Sequence, residues 1–365
     1  MRNFTPIVAL CVAVVMALAG CQSQRPSVEV IERKPRSPSS ASTSPVTPGQ
    51  PARHEFTHQQ MGTSFRIVIY SGDETAAKAA AEAAFKRVDQ LNAVFSDYDP
   101  ASETSRLSAS AGSGQRVKVS EDLWKLLRAS DRFSRQTGGL FDATVGPVVV
   151  LWRAARKSKQ MPPADELARA LKAVGYDKIE YDEASRSVTL REPGMRLDFG
   201  GIAIGYTLDD LMATLKARGF TRVLIDAGGD ILLGDAPPDR EGWRIAIAPL
   251  EKDAPPARYV ILSNAAITTS GDMFRYVEIG GKRYSHIVDP RTGLGLTDHS
   301  NVTLIAKDAT TNDALSKVVS VLGPAKGIEL IDTIDGAAAI IERKPGSQVE
   351  TFESSRVKQL RMEKP

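Results

Sequence analysis

Ten consecutive residues, Tyr284-Ser285-His286-Ile287-Val288-Asp289-Pro290-Arg291-Thr292-Gly293, bring together a titratable imidazole, a carboxylate, a guanidinium and several hydroxyls. Pro290 and Gly293 make the stretch a turn, not part of a regular helix or strand. The chain has four histidines, and His286 is the one embedded in such a cluster. Two readings are open for these residues alone. One is a polar turn that caps its own backbone with Asp289 and Thr292. The other is a loop whose polar groups a rigid scaffold aims at a ligand.

Four further segments are too polar or too rich in glycine to pass as plain connectors. The first is Gly139-Leu140-Phe141-Asp142-Ala143-Thr144-Val145-Gly146-Pro147. The second, Asp198-Phe199-Gly200-Gly201-Ile202-Ala203-Ile204-Gly205-Tyr206, runs from an expected strand through paired glycines into an expected helix. Paired glycines let backbone approach a ligand, and a helix start offers unpaired N–H groups to phosphate. The spacing is not the dinucleotide G-x-G-x-x-G pattern, and a tight strand-to-helix turn explains it equally. Thr268-Thr269-Ser270-Gly271-Asp272, taken alone, reads as a turn. Asp226 followed by Gly228-Gly229-Asp230 reads as a structural turn between strands.

The elements that must position these segments follow from periodicity. Residues 65–70 alternate around β-branched positions and predict a strand, and residues 74–94 carry alanines and apolar residues at helical spacing. Ser120 can cap a helix running to Gln136 and stopping at Gly138-Gly139. A short helix is expected over 164–173, strands over 187–190 and 196–199, and a helix over 202–218 that ends at Gly219. Strands then dominate: 222–226, 231–233, 243–248 and 259–263, with 274–279 and Arg283 flanking a Gly280-Gly281 hairpin turn. A strand over 302–306, a helix over 311–322 closed by Gly323-Pro324, and a final core strand over 336–341 complete the pattern. Strands cluster in the second half, which predicts an α+β fold and not regular βαβ alternation.

The ends of the chain differ in kind from the body. Arg2, an apolar run over 7–18 and Leu18-Ala19-Gly20-Cys21 read as a signal segment over 1–20. The small residues before Cys21 resemble a bacterial lipobox, which implies cleavage before Cys21 and its lipidation. Residues 21–53 are rich in Ser, Pro and Thr, with few bulky apolar residues to repay ordering, and read as a flexible tether. The globular body is expected over 54–356, and 357–365 as a frayed tail. With 47 basic and 44 acidic residues the net charge is +3, too balanced to argue for nucleic acid, and no basic cluster interleaves with aromatics.

Taken in order, one series carries more than its parts. Met61-Gly62-Thr63, Ser96-Asp97-Tyr98-Asp99-Pro100 and Ser102-Glu103 come first, then Phe141-Asp142 and Asp198-Phe199-Gly200-Gly201. Thr269-Ser270-Gly271-Asp272, Ser285 through Gly293, and Asp313-Ala314-Leu315 follow. The series, across residues 61–323, resembles the ApbE family of FAD:protein FMN transferases. That resemblance implies mixed, largely antiparallel sheets with flanking helices. It implies FAD as substrate and Mg²⁺ as cofactor, with FMN passed to a Thr or Ser hydroxyl of a target flavoprotein and AMP released. The implied acceptor is a subunit of a membrane redox complex, met by an exported lipoprotein facing the periplasm.

Carried over residue by residue, the FAD contacts fall on Met61, Tyr98, Gly139, Leu140, Phe141, Asp198, Ile204, His286 and Ile287. The metal ligands fall on the Gly201 carbonyl and Asp313, and His286 and Asp289 become candidates for orienting the acceptor as well as for proton handling. Two positions depart from the family. Ile204 stands where Lys is usual, and Lys317 stands where a Thr hydroxyl usually joins the metal. Asp313 and Lys317 are i and i+4 on a helix and share a face. An ammonium has no lone pair for a metal, so it is expected to pair with Asp313 and weaken or replace magnesium. Two other functions are compatible with these departures: an FAD-binding lipoprotein with little catalysis, and an FAD pyrophosphatase.

Overall fold

The structure, a computed structural model, describes residues 51–251, 254–273 and 275–365. The expected signal segment, Cys21 and all but the end of the expected tether lie outside these residues. The chain enters as an antiparallel hairpin of β1 (Ala52–Gln60) and β2 (Thr63–Ser71), so the last two residues assigned to the tether, Ala52 and Arg53, are strand. Met61, at φ 52°, and Gly62, at φ 70°, make the turn. Alternation along β2 sends Phe65, Ile67 and Ile69 to one face and Val68 to the other. Next comes α1 (Glu74–Phe95), capped by Asp73, whose carboxylate accepts from the Ala76 N–H at 2.9 Å. Its small Ala77, Ala80, Ala81 and Ala84 let the helix lie close on β1 and β2.

A second layer holds α2 (Glu103–Ala109), β3 (Val117–Lys118), α3 (Glu121–Gln136), α4 (Gly146–Ser158), α5 (Ala164–Lys172), β4 (Ile179–Asp182) and β5 (Ser187–Leu190). Strands β3, β5 and β4 form a small sheet with β5 in the middle. The chain then returns through α6 (Ala203–Lys216), β6 (Val223–Ala227), β7 (Asp230–Leu233), β8 (Trp243–Ala246), β9 (Tyr259–Leu262) and β10 (Ala265–Gly271). A hairpin of β11 (Tyr276–Ile279) and β12 (Lys282–Ser285) precedes β13 (Ser300–Ala306), α7 (Ala309–Leu322) and α8 (Pro324–Asp332). The chain ends with β14 (Ala338–Arg343), β15 (Glu350–Glu353) and β16 (Arg361–Glu363).

The main sheet has the order β1-β2-β6-β7-β10-β13-β14-β15, and every neighbouring pair is antiparallel. Helices α1, α6 and α7 cover one face, and the sheet β16-β9-β8 packs Trp243, Ile245 and Val260 on the other. Burial on both faces explains why β6 is buried along its whole length instead of alternating. The fold is the α+β arrangement of antiparallel sheets and flanking helices that the sequence predicts.

Three expectations are corrected. Residues 196–199 make one parallel bridge, Val145 to Arg196, and no strand; Leu197 and Phe199 alternate because they point into the core. Thr268 to Gly271 belong to β10 and not to a turn. Their hydroxyls tolerate the sheet because they are paired, Thr269 with Thr303 and Ser270 with Ser316, each at 2.9 Å. The tail over 357–365 is not frayed: Val357 is buried and β16 pairs with β9, so the expected final strand, now β14, is followed by two more.

Candidate functional site

The glycine turn, α6 and α7 build the floor of the site. One Asp198 oxygen accepts from the Gly200 N–H at 2.8 Å, and the Asp198 N–H donates to the Ala143 carbonyl at 2.8 Å. The turn is thereby tied to the segment that carries Phe141. The N-cap residue of α6, Ile202, has no polar side chain to cap it. In its first turn the Gly205 N–H donates to Asp313 at 3.1 Å. A Cβ on Gly205 would lie 2.1 Å from the Ala309 carbonyl oxygen and 2.8 Å from the Asp313 Cβ, so α6 and α7 approach this closely because residue 205 is glycine. The other Asp313 oxygen is paired with the Lys317 ammonium one turn along α7. Lys317 in turn lays its stem on the glycine turn: a Cβ on Gly201 would be 3.6 Å from its Cγ and 3.5 Å from the Phe141 ring. Phe141, Gly201, Asp313 and Lys317 therefore converge. Burial raises the Asp313 carboxyl above its ordinary range, against the opposing pull of Lys317.

This donor set does not suit the expected magnesium. Mg²⁺ demands octahedral oxygen ligands. Both Asp313 oxygens are engaged, and Lys317 brings a positive charge where the family's hydroxyl would be. Among the described residues no group of three or more His, Cys, Asp or Glu is placed to hold a metal ion.

The wall is α4, which the spacing of apolar residues does not predict. Pro147 starts it, and Val148, Trp152 and Ala155 form its buried stripe. Arg153 reaches from it to both Asp97 and Asp198, the latter at 2.8 Å, and its guanidinium carbon lies 4.0 Å above the Tyr98 ring. Tyr98 is 74% exposed, so the outer face of this stack is open to a planar ligand. Burial, then Asp97, raises the Asp198 carboxyl, while Arg153 opposes them. Arg156 follows at i+3. It is partly buried, burial pushes its guanidinium below its ordinary value, and among the described residues no carboxylate pairs with it. Asp97, Trp152, Arg153 and Arg156 were given no role by the sequence. The available signal was two arginines three apart directly behind a tryptophan.

The histidine loop leans on the same helix. The Trp152 indole N–H donates to the Gly293 carbonyl at 2.7 Å. Gly293 has φ 70°, and a Cβ there would meet Leu167 at 2.8 Å. The His286 N–H donates to the Arg275 carbonyl at 2.9 Å, and its Nδ1 lies 3.1 Å from the same oxygen. Donation from Nδ1 selects the tautomer whose lone pair is on Nε2. Ile287 is buried, and its N–H donates to the Ser285 hydroxyl oxygen at 3.1 Å. Asp289 is gripped by Arg291 through both oxygens, at 3.0 and 2.7 Å. Burial alone would raise its carboxyl, but Arg291 holds it below the ordinary range, which suits a fixed anion more than a proton acceptor.

The remaining expected contacts fall around this frame. Met61 packs beside α6, with the Thr207 hydroxyl 3.7 Å from its sulfur, and Ile204 packs into the apolar cluster under α1. Gly139, at φ 81°, abuts the Tyr176 ring, and Leu140 leans on the core that contains Phe141. Helix α4 links the two halves of the site. Its neighbouring residues Trp152 and Arg153 hold the histidine loop and the Asp198 turn respectively.

Known proteins are similar to this chain in sequence and in fold. The ApbE family model matches residues 61–341. The chain is similar to proteins named FAD:protein FMN transferase from Haemophilus influenzae, at 30% identity over 82% of this chain and 89% of the relative, and from Escherichia coli K12, at 32% over 85% and 91%. Among solved structures it resembles the apo flavinyl transferase ApbE of Pseudomonas stutzeri, with TM-score 0.75 and 29% identity over 85% of this chain and 97% of that one. The ApbE protein of Thermotoga maritima gives TM-score 0.75 and 30% identity over 84% and 99%. The chain belongs to the ApbE family.

Proposed function

We propose that the protein is an FAD:protein FMN transferase, moving FMN from FAD to a Thr or Ser hydroxyl of an acceptor flavoprotein and releasing AMP. The observation that carries the reading is the meeting of the α6 start, the Asp198 turn and the Asp313–Lys317 pair at one place. It occurs in a chain that covers 91% of a relative of that name. Phosphoryl transfer asks a protein mainly to position groups and neutralise charge. In the proposed step the acceptor oxygen bonds to the FMN phosphorus, and the bond from that phosphorus to the bridging oxygen breaks. AMP leaves with that oxygen and its electron pair, and the hydroxyl proton passes to His286 Nε2. The open face of Tyr98, backed by Arg153, takes a ring of FAD, and Arg156 supplies a cation beside it. Asp289 keeps the loop in shape.

The acceptor is proposed to be a subunit of a membrane redox complex. The location proposed is the periplasmic face of a membrane, with residues 1–20 removed, Cys21 lipidated and the segment up to β1 acting as the tether. Cys21→Ala then moves the protein from the membrane fraction to the soluble fraction. The transferase reading is tested by incubating the purified protein with FAD and a candidate acceptor domain, following AMP by chromatography and covalent flavin by in-gel fluorescence. AMP with a fluorescent acceptor band is expected. AMP with only free FMN means hydrolysis, and FAD recovered intact means a binding protein.

A further inference from the structure

We propose that Lys317 is a built-in cation that holds the FAD pyrophosphate, so that this protein binds FAD without a divalent metal. The inference rests on the FAD reading and concerns its charge balance. Lys317 and Asp313 form an ion pair with side chains 21% and 2% exposed. The Gly205 N–H engages the second Asp313 oxygen, which leaves the carboxylate committed on both sides. An ammonium has three N–H donors. One goes to Asp313, and among the described residues Lys317 Nζ has no other acceptor, so two donors remain for ligand oxygens.

The surroundings decide what those donors can meet. The Lys317 stem lies against Gly201, the last glycine before α6, whose N-cap residue Ile202 has no polar side chain. In the first turn of α6 the Ala203 N–H is spent on the Phe199 carbonyl and the Gly205 N–H on Asp313, which leaves the Ile204 N–H, and together with the tethered ammonium it makes a cradle for phosphate oxygens. A metal entering there would lose the Asp313 oxygen to Lys317 and would meet a like charge. The first turn of α6 offers no competing cation, because Ile204 stands there, packed against the apolar cluster with Met61 and Phe85. At the glycine turn the positive charge is therefore carried by α7.

FAD affinity, read by quenching of flavin fluorescence, tests the proposal without recourse to turnover. Wild type is expected to bind FAD equally in EDTA and in millimolar Mg²⁺. Lys317→Met is expected to bind at least about tenfold more weakly in both, the loss of one charge-assisted contact. Lys317→Met leaves Asp313 buried and unpaired, so Lys317→Met/Asp313→Asn is measured beside it, with Lys317→Arg as the charge-retaining control. Wild-type binding that collapses in EDTA and returns with Mg²⁺ overturns the proposal and leaves the FAD site standing. So does undiminished binding by both Met variants. Absence of FAD binding in every condition removes both the proposal and the FAD reading.

Discussion

Replacing Arg153 with Met isolates the electrostatics of the α4 wall. Arg153 is 20% exposed at its side chain and holds two carboxylates that are less exposed still, Asp97 at 11% and Asp198 at 8%. Removing one partner of a buried ion pair costs about 3–5 kcal/mol. The one-fifth exposure of the guanidinium places this case at the low end, about 3 kcal/mol. For a body of this size each kcal/mol shifts Tm by about 2 °C, so a loss of about 6 °C near neutral pH is expected. The loss has a sign in pH. Asp198 already has a raised carboxyl, from burial and then Asp97, against the pull of Arg153. Without Arg153 its folded-state pKa rises further. A group raised on folding contributes stability below its unfolded pKa and loses that contribution as pH climbs through the folded value. The deficit of the variant is therefore smallest in acid and largest near neutrality. Thermal unfolding of both proteins from about pH 4 to about pH 8 reads this directly. A deficit that is flat across that range, or below about 1 kcal/mol, means a solvated surface pair and refutes the reasoning. Asp97→Asn added to Arg153→Met relieves the repulsion at Asp198 and is expected to recover part of the loss.

Gly205→Ala places a methyl 2.1 Å from the Ala309 carbonyl oxygen, and chemical unfolding is expected to show a loss of about 3 kcal/mol as α6 and α7 separate. Gly201→Ala meets only ordinary contacts, at 3.5 and 3.6 Å, so its unfolding midpoint stays near wild type while FAD affinity falls beside Lys317. Trp152→Phe leaves the Gly293 carbonyl without its donor, costs about 1–2 kcal/mol and exposes the histidine loop to limited proteolysis; an unchanged cleavage pattern would count against α4 as its support. His286→Ala is expected to slow AMP release at saturating FAD by about 10²-fold or more, and Asp289→Asn by much less, because the first loses a proton acceptor and the second a turn contact. Equal losses would move the base to Asp289.

How much of this was legible in the sequence depends on how local each cause is. Helix α1 and the β11–β12 hairpin follow from spacing and from Gly280-Gly281, which act over a few residues. Strand β10 was hidden because Thr268, Thr269 and Ser270 look like turn residues. They fit in the sheet only because partners dozens of residues away, Asp230, Thr303 and Ser316, satisfy their hydroxyls. The closing strand β16 was hidden for the same reason, since its charged Arg361 and Glu363 flank the one residue, Met362, that packs on the apolar cluster between β8–β9 and the main sheet. At the site, the pairing of Asp313 with Lys317 was readable, being one helical turn. The bridge from Asp97 through Arg153 to Asp198 was not, because its members lie 56 and 45 residues apart.

That difference in range changes which residues the activity hangs on. The histidine loop announces itself in the sequence, yet its own hydrogen bonds are spent on its shape: Asp289 on Arg291, Ser285 on Ile287, His286 on Arg275. Its placement comes from outside, through the Trp152 indole on Gly293. The next residue, Arg153, fixes Asp198 and backs Tyr98. Neighbours on a helix rotate by about 100° from one another, so one short helix can grip the two segments on different sides only if it is itself rigid. Trp152, buried at 2% exposure, supplies that rigidity. A substitution that loosens α4 in its buried stripe, such as Val148→Ala, should therefore weaken FAD binding and slow AMP release together, although Val148 touches neither the loop nor the glycine turn through a hydrogen bond. A loss of stability with both functions intact would show that the loop and the turn are positioned independently.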